Sequence, residues 1–147
     1  MLRRIATLLL LPFALSSCSY IYDVLAVVRD GRLVFIVDPA SSQQPSCLRR
    51  IEVTAEEGTM WLESVSHDDK CANKFPLPYG VTLKGQHQQD SELIGAKPLR
   101  RGTVYEISTT SGATGYGGGR FAVRADGSIE NLKFQQSAAQ SNEASQR

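Results

Sequence analysis

Apolar residues recur at every second position along most of this chain, and that period constrains its fold more than any other feature. Tyr22, Val24, Ala26 and Val28 alternate with Asp23, Leu25 and Val27. Both faces of this segment are largely apolar, which predicts a central or covered strand. Asp30-Gly31 follows, a pair suited to the positive φ angles of a type I′ hairpin turn, and Leu33 to Val37 returns. The implied register sets Val28 against Leu33 and Ala26 against Phe35. Pro39 then stops the ladder, because it has no amide hydrogen to donate.

The same reading continues downstream. Ile51 and Val53 share a face opposite Arg50, Glu52 and Thr54, Glu56-Glu57-Gly58 makes a turn, and Thr59 to Val65 forms a strand carrying Met60, Trp61 and Leu62. The prolines of Phe75-Pro76-Leu77-Pro78 demand an extended or edge conformation. Tyr105 and Ile107 share one face, and Phe121 and Val123 another. Asp126-Gly127 gives a second hairpin signal, with uneven spacing of Ile129, Leu132 and Phe134 that implies a bulge near Asn131. With no apolar stripe of helical period, the pattern predicts an all-β body. Its expected form is a single-domain antiparallel β-sandwich of about seven or eight short strands. Trp61 lies between Cys47 and Cys71, which makes the arrangement similar to immunoglobulin-type sandwiches. A content of 41% hydrophobic and 21% charged residues is that of a chain able to bury one core.

The first twenty residues point to a compartment. Met1-Leu2-Arg3-Arg4 is a short positive region, and Ile5 to Leu15 is an apolar run broken only by Thr7 and Pro12. That run is shorter than the roughly 18 residues of a membrane-spanning helix but has the length of a secretory signal core. Leu15-Ser16-Ser17-Cys18 follows. This segment resembles the lipobox of bacterial lipoproteins. The resemblance implies a signal at 1–17 cut before Cys18, diacylglycerol on the Cys18 sulfur, and a lipid-anchored domain at 18–134. Ser19 after the cysteine implies sorting to the outer membrane, facing the periplasm. Ala14-Leu15-Ser16 also fits an ordinary cleavage site with release after Ser16. A buried helix of a cytosolic protein is a further reading, against which Arg3 and Arg4 argue.

Loss of Arg3 and Arg4 with the signal leaves 14 of the 16 basic residues against 15 acidic ones, a formal charge of −1. A body that close to neutrality is not held to nucleic acid or acidic lipid by charge, so attachment to the membrane would rest on the acyl chains. Residues 135–147 are small and polar and read as a flexible tail.

With Cys18 assigned to lipid, Cys47 and Cys71 remain, and an even remainder in an exported chain reads as a disulfide. The competing reading is a metal site around His67, Asp68, Asp69 and Cys71, but the paired spacing that zinc favours is missing.

Candidate chemistry is sparse. Ser111 to Arg120 is glycine-rich, yet no Gly-Lys-Ser/Thr leads into a helix, as a phosphate loop requires. It reads as a long hairpin loop between strands at 103–110 and 120–125, with Tyr116 and Arg120 as possible contacts at its tip. Trp61 and Tyr79 are further candidates for ligand or partner contact. No nucleophile elbow or carboxylate pair stands out, and no cofactor is expected. The expectation is a non-catalytic interaction or structural module of the cell envelope that meets a protein partner. The alternatives are a small-ligand-binding β-barrel or sandwich, and a metal-dependent enzyme using His67, Asp69 and His87.

Overall fold

A computed structural model of the chain describes residues 19–87 and 90–134. The signal reading at 1–17, Cys18 and the tail at 135–147 lie outside the described residues. The elements are β1 (Tyr20–Arg29), β2 (Arg32–Val37), β3 (Arg50–Ala55), β4 (Gly58–Ser64), β5 (Leu77–Pro78), β6 (Thr103–Ser111), β7 (Gly115–Val123) and β8 (Ile129–Leu132). The body is all-β, as its period of two predicts, with no helix among the described residues.

The local hairpin is the one the sequence implies. Asp30 and Gly31 both take positive φ, 51° and 71°, the conformation of a type I′ turn. β1 and β2 pair with Val28 opposite Leu33 and Ala26 opposite Phe35. β5, with Pro78, sits at the sheet edge, where its missing donor leaves no ladder bond unmade.

The sheet order departs from the expected antiparallel sandwich. The strands join in one mixed sheet, β4-β3-β6-β7-β1-β2-β5, with β8 also on β7. β1 and β7 run parallel, from Tyr20 opposite Gly115 to Asp23 opposite Gly118. A parallel pair needs a long crossover rather than a tight turn, so nothing local in the sequence announces it. β1 leaves β7 after Asp23 and continues beside β2 from Val24 onward. β8 takes up the edge of β7 that β1 gives up, from Arg120 to Val123. The sheet therefore curls into a half-barrel whose far members meet across the concave side. Phe35 of β2 stacks on Trp61 of β4 with ring centroids 6.3 Å apart, and Tyr79, just past β5, meets Trp61 edge-on at 5.3 Å.

The core fills that concavity. Tyr22, Val24, Phe35, Ile51, Val53, Trp61, Tyr105, Ile107 and Phe121 are all buried. Each large side chain removed from water contributes roughly 1.5–3 kcal/mol. On β4 the register shifts between Val53 and Thr54 of its partner strand, so Met60 and Trp61 are buried side by side instead of alternating. That bulge is the one the β3–β4 ladder contains. The β7–β8 register runs without a shift from Val123–Ile129 to Arg120–Leu132, so the bulge expected near Asn131 is not there.

Two asparagines stand in for strand neighbours. Asn131 accepts the Ala26 amide and donates to the Ala26 carbonyl, both at 2.8 Å. Asn73 treats Lys84 the same way, at 2.8 and 2.9 Å. A carboxamide has the donor and acceptor of a peptide group, so each closes a gap where no strand continues. The outer edge of β4 is covered by the chain around Ile94, which exchanges main-chain bonds of 2.8 and 2.9 Å with Leu62, and Lys97 bonds Met60.

Candidate functional site

The glycine-rich segment is the largest difference between expectation and structure. It is not a long hairpin loop. β6 runs to Ser111 and β7 starts at Gly115, leaving only 112–114 as the turn. Steric room explains why glycine is used. A Cβ on Gly115 would strike the Tyr20 ring, and one on Gly117 would fall inside the Tyr22 ring and on Thr109 Oγ1. On Gly118 it would enter the Phe134 ring, and on Gly119 it would overlap the Val24 carbonyl. The aromatic rings of neighbouring elements occupy the space that side chains of β7 would need. Tyr116 and Arg120 therefore project from a paired strand, not from a loop tip.

Glycines 115, 117 and 119 face the concave side, where a polar row follows the aromatic core. Tyr22 shares a buried hydrogen bond of 2.8 Å with Thr109 Oγ1, and the Tyr20 hydroxyl donates to Ser111 Oγ at 3.2 Å. Burial pushes the Tyr22 phenol up to about 12. Burial likewise raises Tyr79 to about 12, and its hydroxyl donates to the Lys97 carbonyl at 2.7 Å. Trp61 has 0% of its surface exposed. Trp61 and Tyr79 are thus core and tether: together they close the half-barrel and pin the chain at 97.

Cys47 and Cys71 are joined as a disulfide, with Cα atoms 5.7 Å apart. The segments they link are further tied by the Leu48 amide bonding to Asn73 O at 2.8 Å. Around this strap two of the candidate metal residues, Asp69 and His87, have structural partners. Asp69 accepts the amides of Lys70 (2.8 Å) and Gln86 (2.6 Å), and His87 Nδ1 lies 2.7 Å from Ser64 O. Among the described residues no three His, Cys, Asp or Glu side chains converge on one point. Arg49 also serves this loop, donating to the carbonyls of Ser66 (2.6 Å) and Asp69 (2.9 Å). Two arginine pairs of the sequence, Arg49-Arg50 and Arg100-Arg101, lie at opposite ends of the sheet, since Arg50 pairs Thr110 at the end of β6 and Gly102 precedes its start.

Comparison with protein-family models, curated proteins and solved structures finds no match. What the chain can do is therefore read from its exposed chemistry.

The convex face carries the two remaining candidates. Arg120 lies across from Glu106 and within 3.7 Å of its carboxylate. This pair lines a depression of about 620 Å³ together with Glu56, Glu57, Thr103 and Val104. That end of the sheet is rich in charge: Arg100 approaches Glu57 at 3.8 Å, and Arg124 pairs with Glu130. Ser128 holds the Asp126 carboxyl below the usual range through its hydroxyl and amide. At the other end Tyr116 is directly opposite Ile21. Ile21 escapes a sequence reading because its neighbour is set by the parallel β1–β7 ladder, which has no local signal.

Proposed function

We propose that this chain is a lipid-anchored protein of the bacterial cell envelope, exported by residues 1–17 and acylated on Cys18. In this reading it sits at the outer membrane, faces the periplasm and works by contact with a protein partner, without catalysing a reaction. The observation that carries it is the division of the cysteines. Cys47 and Cys71 are bonded to each other, which leaves the lipobox-like Cys18 outside that bond and two residues ahead of β1. An oxidised pair favours an exported chain, and β1 begins at Tyr20, just after the expected cut. The partner surface in this reading is the convex face, where Arg120, Glu106 and Val104 stand around a polar depression.

Metabolic labelling with a palmitate analogue tests the anchor. Label is expected on the wild-type chain and lost in Cys18→Ala. An unlabelled wild-type protein, released after Ser16, contradicts it.

A further inference from the structure

We infer that the convex face at the start of β1 is itself a membrane-contact patch, with Ile21 and Tyr116 seated in the lipid headgroup layer and the domain standing upright on them. The inference rests on the acylation of Cys18 proposed above and adds an orientation to it. Ile21 and Tyr116 are direct cross-strand partners on the same side of the sheet, with 55% and 36% of their surfaces exposed. The Phe134 ring lies over Gly118, two residues along β7 on the same side.

Tether length makes the membrane the occupant. Ile21 is three residue steps beyond Cys18, a reach of about 10 Å at most. Acyl chains on Cys18 therefore hold this pair within the depth to which interfacial groups settle. An aliphatic and a tyrosine side chain are the types favoured there, the ring apolar in body and polar at its tip. Asp23, exposed two residues further along the same face, limits insertion to the first row, because a carboxylate costs several kcal/mol to move into hydrocarbon. The opposite end of the sheet bears the charged turns at Glu56-Glu57, Arg100-Arg101 and Arg124–Asp126. An upright domain presents those turns, and the depression at Val104, away from the bilayer.

The test places a fluorophore at each end of the convex face. Ile21→Trp and Val104→Trp are expressed as the full chain, purified from membranes and reconstituted into vesicles of phosphatidylethanolamine and phosphatidylglycerol with a brominated-chain lipid. Both sites are exposed, Val104 at 38%, so either exchange leaves the core intact. Buried Trp61 supplies an unquenched background, subtracted with the wild-type protein. Emission from Ile21→Trp is expected to fall by about half on adding brominated lipid, with that from Val104→Trp unchanged. Mass analysis of the same sample reports the acyl chains. An acylated protein with neither site quenched overturns the patch and spares the anchor. Equal quenching at both sites overturns the upright orientation. A size increase with protein concentration that shields Ile21→Trp without lipid assigns the patch to a second copy and overturns the membrane contact. A chain carrying no acyl group removes both the patch and the anchor.

Discussion

The two halves of β7 are built in opposite ways. From Gly115 to Gly119 the strand carries one side chain, Tyr116, and its neighbours supply the bulk: Tyr20 over Gly115, Tyr22 over Gly117 and Phe134 over Gly118. From Arg120 to Val123 the strand fills space itself, with Phe121 buried against Tyr105 at 5.3 Å and against Phe35 at 5.9 Å. Both halves pair with β6 throughout. On the other edge Gly115 to Gly118 pair with β1 and Arg120 to Val123 with β8. The difference teaches that strand propensity belongs to the packed surface rather than to the residue. Glycine is a poor strand former alone, yet five positions with four glycines form a strand where aromatic rings occupy the side-chain space on both of its faces.

That contrast predicts opposite responses to substitution. The largest effect falls on the self-filled half: Phe121→Ala opens a cavity in the aromatic core and should cost about 4 kcal/mol by denaturant unfolding. In the glycine half the damage comes from addition. Gly119→Ala drives a Cβ into the Val24 carbonyl, which as backbone cannot turn aside, and should cost about 3 kcal/mol. Gly118→Ala meets only the Phe134 ring, which can move, and should cost clearly less. Equal costs for the two alanines would break the distinction between backbone and ring contacts.

Asn131→Ala is next. It removes both bonds to Ala26 where β1 has left β7, and should cost about 2 kcal/mol. Tyr22→Phe is the smallest at neutral pH, about 1 kcal/mol for the bond to Thr109. Its larger signature is alkaline. The phenol titrates near 10 when unfolded and about 12 in the folded chain. Between those values the folded state binds the extra proton, so stability falls as pH rises through that window and is unaffected below it. Tyr79 acts in the same sense. Unfolding measured from pH 9 to 12 should show the decline, and Tyr22→Phe should make it shallower.

How much of this was legible depended on the range of the interaction. The β1–β2 hairpin could be read to the residue, because Asp30-Gly31 and the alternation around it are local. The inward faces of β3, β6 and the end of β7 were equally plain from Ile51, Val53, Tyr105, Ile107, Phe121 and Val123. The glycine half reads as a loop in the sequence because its strand character lies in Tyr20, Tyr22 and Phe134, none of them adjacent to it in the chain. The single curled sheet was hidden for the same reason, since the parallel β1–β7 pair joins segments some ninety residues apart: Tyr20 reaches Ser111 across a separation of 91. Near Asn131 the uneven apolar spacing implies a bulge, whereas the ladder there is regular and Asn131 instead bonds the Ala26 backbone. At the candidate surface Tyr116 and Arg120 were picked out by type, while Ile21 needed the ladder to be seen.

Amide hydrogen exchange along β7 bears most directly on the glycine strand. Gly117 and Gly118 lie inside ladders on both sides and Gly119 inside the β6 ladder, so their amides should exchange as slowly as those of Phe121 and Val123, and far more slowly than that of Ala113 in the turn. Exchange of the three glycines at the rate of Ala113 would mean that the segment is a loop after all, and would contradict a half-barrel assembled around it.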